Sequence, residues 1–283
     1  MSTYPSPLPP TLSRSTVVTT LRSAGCVFAE DEAELLLSTA RTPADLAAMV
    51  RRRADGLPLE HVLGWAEFHG RRMAVDPGVF VPRRRTEFLV ERALALAGPS
   101  ADRTSRRPTV LVDLCCGSGA VGAALAAALD PVELHAADIE PAAVRCARRN
   151  VAALGGEVYE GDLYAPLPGG LRGRIDILVA NVPYVPTEEV GLLPPEAREH
   201  EPLVALDGGA DGLDVLRRVT REATGWLAPG GHLLVETSER QAERAVEAFA
   251  DAGLLPQVAT SDEWYATVIV GTRPDQRRAS RDG

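Results

Sequence analysis

The sequence predicts a doubly wound, mostly parallel α/β sheet, preceded by a small helical domain and a hairpin linker. Three observations carry this. Near-continuous apolar runs such as Ile175–Ala180 alternate with amphipathic stretches, as strands do when helices bury them on both faces. A glycine-bearing turn follows one such run and opens an alanine-rich helix, a βα junction suited to holding a ligand. Ahead of the sheet, apolar residues recur at helical rather than strand spacing.

Taken in order, residues 1–12 contain Pro5, Pro7, Pro9 and Pro10 among Ser and Thr, so a disordered tail is expected. Residues 13–55 carry Val17, Leu21, Val27, Leu35, Leu36, Leu37, Leu46 and Met49. That spacing predicts a helical domain broken near Gly25 and Pro43. Between 56 and 82 short apolar stretches are punctuated by Gly64, Gly70, Pro77 and Gly78, predicting a β-hairpin linker. The main domain spans 83–272. A helix through Phe88, Leu89, Leu94 and Leu96 and a polar stretch, 98–108, precede strands expected at 109–114, 132–137, 157–161, 175–180, 231–236 and 266–271. Residues 273–283 are polar, basic and without periodicity, a second tail.

The 283 residues, 45% hydrophobic, suffice for one full core and a smaller unit. A formal charge of −9 repels phosphate backbones on average, which argues against stable nucleic-acid binding and favours polypeptide or small-molecule partners. Four cysteines, Cys26, Cys115, Cys116 and Cys146, fit neither a zinc site nor a secreted disulfide scaffold, so no metal is expected and reduced thiols point to the cytoplasm. No run of about 18 apolar residues suggests a membrane span. A soluble, cytoplasmic monomer is the expectation.

The glycine-bearing turn reads Asp113-Leu-Cys-Cys-Gly-Ser-Gly119. Glycine lets backbone approach a ligand closely, and the helix start offers free N–H groups. Roughly 20 residues on, a second strand ends in Asp138, placed to accept hydrogen bonds from two ribose hydroxyls; it is also placed to cap the helix starting near Pro141. A dinucleotide stays open, but the turn lacks the third glycine, and Asp113 gives a pyrophosphate nothing. S-adenosylmethionine, with no phosphate and a cationic sulfonium and ammonium, suits these carboxylates. Asp162, in Glu160-Gly-Asp-Leu-Tyr164, can accept from an adenine amino group while Leu163 packs on the ring.

After the fourth expected strand comes Asn181-Val-Pro-Tyr184, at the carboxyl edge where such sheets bind ligands. It resembles the Asn-Pro-Pro-Tyr motif of methyltransferases acting on planar nitrogens. Further similarity lies in Leu59-Glu-His-Val-Leu-Gly64, Phe68-His-Gly70, Val75-Asp-Pro-Gly-Val79, His200-Glu-Pro-Leu-Val-Ala-Leu-Asp-Gly-Gly209 with Asp211-Gly-Leu213, and Leu227-Ala-Pro-Gly-Gly231. Over about residues 15–271 the chain is similar to the protein-glutamine methyltransferases that modify peptide chain release factors. That resemblance implies a seven-stranded class I methyltransferase sheet, a substrate-recognition role for the helical domain, and a substrate glutamine in the Gly-Gly-Gln loop of a peptide chain release factor. It also implies S-adenosylmethionine bound along Cys115, Cys116, Gly117, Ser118 and Gly119 with Asp113, Asp138, Asp162, Leu163 and Asn181. Catalysis is implied at Asn181, Val182, Pro183 and Tyr184. The Asn181 side chain and the Val182 carbonyl would accept the two amide N–H groups, Pro183 would stiffen the loop and Tyr184 would wall the pocket.

Three departures stand out. Val182 replaces the motif's proline, which frees φ there. Pro82-Arg-Arg-Arg-Thr-Glu87 replaces Pro-Arg-Pro-Glu-Thr-Glu, adding charge at Arg84 and Arg85, and Glu236-Thr-Ser stands where the family has an apolar residue and glycine after the fifth strand. A divergent paralogue with another protein substrate, or a nucleic-acid base N-methyltransferase, are the alternatives; the latter would need a basic groove.

Overall fold

The computed structural model describes residues 12–97 and 107–275. Residues 1–11 and 276–283 of the expected tails, and 98–106 of the polar stretch, lie outside the described residues.

Three helices form where the helical spacing ran: α1 (Arg14–Ser23), α2 (Ala29–Thr39) and α3 (Pro43–Ala54). Local chemistry sets their ends. Ser13 caps α1, Thr42 accepts from the Asp45 N–H to cap α3, and Pro43 occupies the first turn of α3, where its missing N–H costs nothing. Gly25, at φ +93°, turns the chain out of α1. Val17, Leu21, Leu36, Leu46, Met49 and Val50 are buried together with Val62 of the short α4 (Leu59–Leu63). Gly64 in the left-handed region ends α4, and β1 (Trp65–Phe68) folds back on β2 (Arg71–Ala74). The hairpin turn is His69-Gly70, both at positive φ, as a two-residue connection with the right twist requires.

The remainder is α5 (Glu87–Ala97), β3 (Thr109–Leu114), α6 (Ala120–Ala128), β4 (Val132–Asp138), α7 (Pro141–Val151), β5 (Glu157–Glu160), β6 (Ile175–Ala180), α8 (Pro195–His200), α9 (Asp214–Trp226), β7 (Leu227–Thr237), α10 (Ala242–Asp251), β8 (Leu255–Ser261) and β9 (Ala266–Thr272). The seven strands lie in the order β5-β4-β3-β6-β7-β9-β8, all parallel except β9, which runs antiparallel to both neighbours. This is the class I methyltransferase architecture. Leu111, Ile177 and Leu234 face α5, α6 and α7 on one side, and Val110, Leu178 and Leu233 face α9 and α10 on the other. No helix among the described residues is long and apolar enough to cross a membrane.

One strand escaped the sequence. In β8, Leu255-Pro-Gln-Val-Ala-Thr-Ser261, no residue is buried. It pairs with β9 alone, so it needs no apolar run and tolerates Pro256. The expected strand at 231–236 proves longer, starting at Leu227. Because the chain winds outward from β3 to β5 and then crosses to β6, a crevice opens beyond the carboxyl ends of β3 and β6.

Candidate active site

β3 leads directly into that crevice. The turn after it places Cys115 at φ +52°, Gly117 at +54° and Gly119 at +76°. Two bonds bind this turn to β4: the Cys116 N–H reaches the Ala137 carbonyl at 3.1 Å, and the Gly117 N–H donates to Asp138 Oδ2 at 2.8 Å. Asp138 Oδ1 accepts from the Glu140 N–H at 2.9 Å, so this carboxylate shapes the turn into α7 without itself being the N-cap, a position Glu140 holds. Both oxygens keep a lone pair for a ligand. On α7, Asn150 donates to the Ser118 carbonyl at 2.8 Å and exchanges two bonds with the backbone of Ala74, tying the linker hairpin to the turn. Asn150→Ala is therefore expected to weaken cofactor binding several-fold with little loss of fold, which calorimetry beside a thermal melt checks.

Asp113 lies behind the turn, 2% exposed, accepting from the Gly122 N–H at 2.8 Å. A side chain on Gly122 would start 3.0 Å from that oxygen, so the glycine is what lets carboxylate and helix N-terminus meet. Burial, with the neighbouring Asp138 charge adding, pushes the Asp113 carboxyl up to about 7. An unfolded carboxylate titrates near pH ~4. Between those values the folded chain holds the extra proton, so this group's contribution to stability falls as pH rises toward 7. A cationic ligand favours the ionised form. Its affinity is expected to rise between about pH 6 and about pH 8 and to lose that dependence in Asp113→Asn, as titration calorimetry would record.

A cavity of about 770 Å³ opens over the turn and gathers residues from eight separate segments. Asp113, Cys115, Cys116, Gly117, Ser118, Asp138, Asp162, Leu163, Asn181, Val182, Pro183 and Tyr184 all line it. Gly119 does not: a Cβ there would lie 3.0 Å from the Ala147 Cβ, so its role is to let α6 approach α7. Asp162 is ion-paired with Arg218 of α9, a partner the sequence did not suggest. Leu163 is buried at φ +48° beneath it. Cys115 and Cys116 are held as thiols, burial raising both far from the thiolate form. The carboxyl groups of Asp113, Asp138, Glu140 and Asp162 gather acceptor oxygens at this end, with Arg218 balancing Asp162. That donor set and the bare glycine turn fit a cationic nucleoside such as S-adenosylmethionine and would repel a pyrophosphate. No cluster of His, Cys, Asp and Glu among the described residues is arranged for a metal.

The other end of the cavity is built on residues 181–187. Asn181 is half-buried, and its carboxamide makes no hydrogen bond to any described residue. Val182 is buried in the core, so packing restrains the loop where the proline is lost. A parallel bridge joins Val185 to Asp207, with the Val185 N–H on the Leu206 carbonyl at 3.0 Å and the Gly208 N–H on the Val185 carbonyl at 2.8 Å. Here the glycines of 208–212 find their reason. A Cβ on Gly208 would sit 2.7 Å from the Pro183 carbonyl, and one on Gly212 2.3 Å from the Tyr184 carbonyl. Gln241 Nε2 donates to that Tyr184 carbonyl at 2.9 Å.

Arg85 extends to the Tyr184 hydroxyl and, through Nε, to Glu236 Oε1 at 3.1 Å. Arg84 lies over the Trp264 ring and does not line the cavity. The roof, around α8, is held by Arg83 on Glu201 at 2.6 and 2.7 Å and by Arg53 of α3, which joins Glu32 and Glu196, both at 2.6 Å. Sequence reading missed Glu140, Arg218, Gln241 and Gly122. Each is ordinary in its own segment, and only the pairing made by the fold singles it out.

The methyltransferase small domain model matches residues 86–192. A release factor glutamine methyltransferase of Geobacter sulfurreducens is 38% identical over 82% of this chain and 79% of its own. A 4-amino-L-phenylalanine/4-methylamino-L-phenylalanine methyltransferase of Streptomyces pristinaespiralis is 39% identical over 68% of this chain and 65% of its own. Among solved structures, a methyltransferase from Pyrococcus furiosus aligns with a TM-score of 0.52 at 15% identity, covering 72% of this chain and 90% of that one, a likeness of fold.

Proposed function

The chain belongs to the release factor glutamine methyltransferases, and from that we propose that it methylates the side-chain amide nitrogen of a glutamine in the Gly-Gly-Gln loop of a peptide chain release factor. The observation that carries the reading is the unpartnered Asn181 carboxamide on the wall of the cavity, next to the carboxylate-lined turn. When bound there, S-adenosylmethionine supplies an electrophilic methyl group on its sulfonium. Asp138 would hold the ribose hydroxyls, Asp162 and Leu163 the adenine, and Asp113 would add negative charge beneath the turn.

An amide nitrogen is a weak nucleophile because its lone pair is delocalised. Rate must come from placement. The Asn181 side-chain oxygen and the Val182 carbonyl would accept the two N–H groups and so aim the nitrogen's lone pair at the methyl carbon for in-line displacement of S-adenosylhomocysteine, the nitrogen giving up one of its two protons to solvent as the C–N bond forms. Clamping of the loop by Gln241 and the 206–208 backbone keeps these acceptors from wandering. Pro183 and Tyr184 close the wall and keep water off the reacting atoms. Ile139 and Val204, partly exposed on the cavity lining, suit an approaching polypeptide loop, and the helical domain, tied to the roof through Arg53 and Glu196, would grip the rest of the substrate. The enzyme acts in the cytoplasm, as a monomer.

A second reading has one observation behind it: the relative named for 4-amino-L-phenylalanine, whose acceptor is a free aryl amine. One experiment separates the two. The protein is incubated with S-adenosylmethionine and either a purified release factor or 4-amino-L-phenylalanine. Peptide mass spectrometry is expected to find one added CH₂ on the Gly-Gly-Gln glutamine and none on the small amine; methylation of the amine alone would overturn the reading.

A further inference from the structure

Glu236 stands at the carboxyl end of β7. The register pairs Ala180 of β6 with Val235, so Glu236 is level with Asn181, the first residue of the catalytic loop. It is 2% exposed, and its Oε2 meets the full hydrogen-bond geometry with no described residue. The Thr86 hydroxyl is buried beside it and favours its charged form. A carboxylate so placed is costly unless a cation compensates it. That cation is Arg85, which donates to Glu236 Oε1 and with its other arm to the Tyr184 hydroxyl, which itself lies 3.5 Å from the same Oε1. Three groups thus close a ring of contacts behind the acceptor wall.

Tyr184 is consequently tethered twice, by Gln241 at its backbone carbonyl and by this pair at its hydroxyl. The first tether fixes the loop. The second fixes the ring, which lines the acceptor end of the cavity. Resting on the methyl-transfer reading above, we infer that Arg85 and Glu236 are positioning residues: as an ion pair they hold the Tyr184 phenol against the acceptor group, and neither touches the reacting atoms. The charge at position 85 is then bound to that of Glu236. A glutamate at 85, as in the related pattern, would put two carboxylates together behind the ring, so this chain orients its acceptor wall in its own way.

The test is a double-mutant cycle on Glu236→Gln and Tyr184→Phe, measuring kcat and KM for a release factor and Kd for S-adenosylmethionine. Each single change is expected to lower kcat about tenfold with cofactor affinity within two-fold, and the double variant to fall no further than the worse single one. Losses that multiply, or an unchanged kcat in Glu236→Gln, overturn the proposal. Arg85→Lys should recover part of what Arg85→Gln loses, whereas a pair serving stability alone would show this in melting temperature and not in kcat.

An acceptor-free readout keeps the two readings apart. In protein labelled with ¹³C at the tyrosine Cζ, the Tyr184 resonance is the one absent from Tyr184→Phe. Burial and the Glu236 charge push its phenol up to about 12, so Glu236→Gln is expected to shift the resonance and lower its titration midpoint. A resonance that responds while the wild type leaves the release factor unmodified supports the positioning pair and sinks the substrate assignment. Methylation with an unresponsive resonance overturns the pair and leaves the assignment standing.

Discussion

Asn181→Ala is expected to lower methyl transfer by a hundredfold or more, to about the background of the assay, while S-adenosylmethionine binds within a few-fold of wild type. The carboxamide makes no bond to any described residue, so its removal strands no buried partner among them and should leave the fold intact. What is lost is the acceptor that orders one amide N–H, and with it the alignment that an unactivated nitrogen needs. Asn181→Asp, which keeps the acceptor oxygen but adds a charge facing the bound sulfonium, should be partly active and bind cofactor more tightly. Single-turnover kinetics with a pre-bound cofactor would show both. An alanine variant as fast as wild type would remove Asn181 from the mechanism.

Asp138→Ala should do the opposite, weakening the cofactor by about tenfold to about a hundredfold and leaving the rate at saturation nearly unchanged. Hydrogen bonds to a charged acceptor contribute about 1.5–3 kcal/mol each, and the variant loses those from the ribose. It also frees the N–H groups of Gly117 and Glu140, which Asp138 now holds at 2.8 and 2.9 Å. The turn that must lie flat against the ligand therefore loosens as well. Calorimetry gives the affinity, and kcat at saturating cofactor gives the second half of the expectation. A variant with normal affinity would mean that Asp138 serves only as the turn-former.

Most of the sheet was legible because a doubly covered strand has to be apolar on both faces. Ile175–Ala180 and 109–114 could hardly be anything else. β8 was invisible for the converse reason: at the edge, hydrogen-bonded on one side and with none of its residues fully buried, it is under little compositional demand. The glycine turn was legible because its glycines and acids cluster in a few consecutive residues, and the 181–184 loop because four consecutive residues carry the resemblance. Gly119 shows the limit of such reading. Its glycine is required, but by the helix packed behind it rather than by the cavity in front.

The charged departures divide the same way. Arg84 and Arg85 are neighbours of one type, indistinguishable as letters, yet one lies over an indole and the other reaches a buried carboxylate 151 positions away. By itself the sequence determined the fold class, the family, and the glycine turn and 181–184 loop that meet at the cavity, because each is written in local pattern. Only the tertiary structure decided that Asp162 meets Arg218, that Gln241 grips the Tyr184 carbonyl, and that Arg85 compensates Glu236. These pairings join segments far apart in the chain, and the energy of an ion pair or hydrogen bond depends on distance and burial, which no residue carries alone.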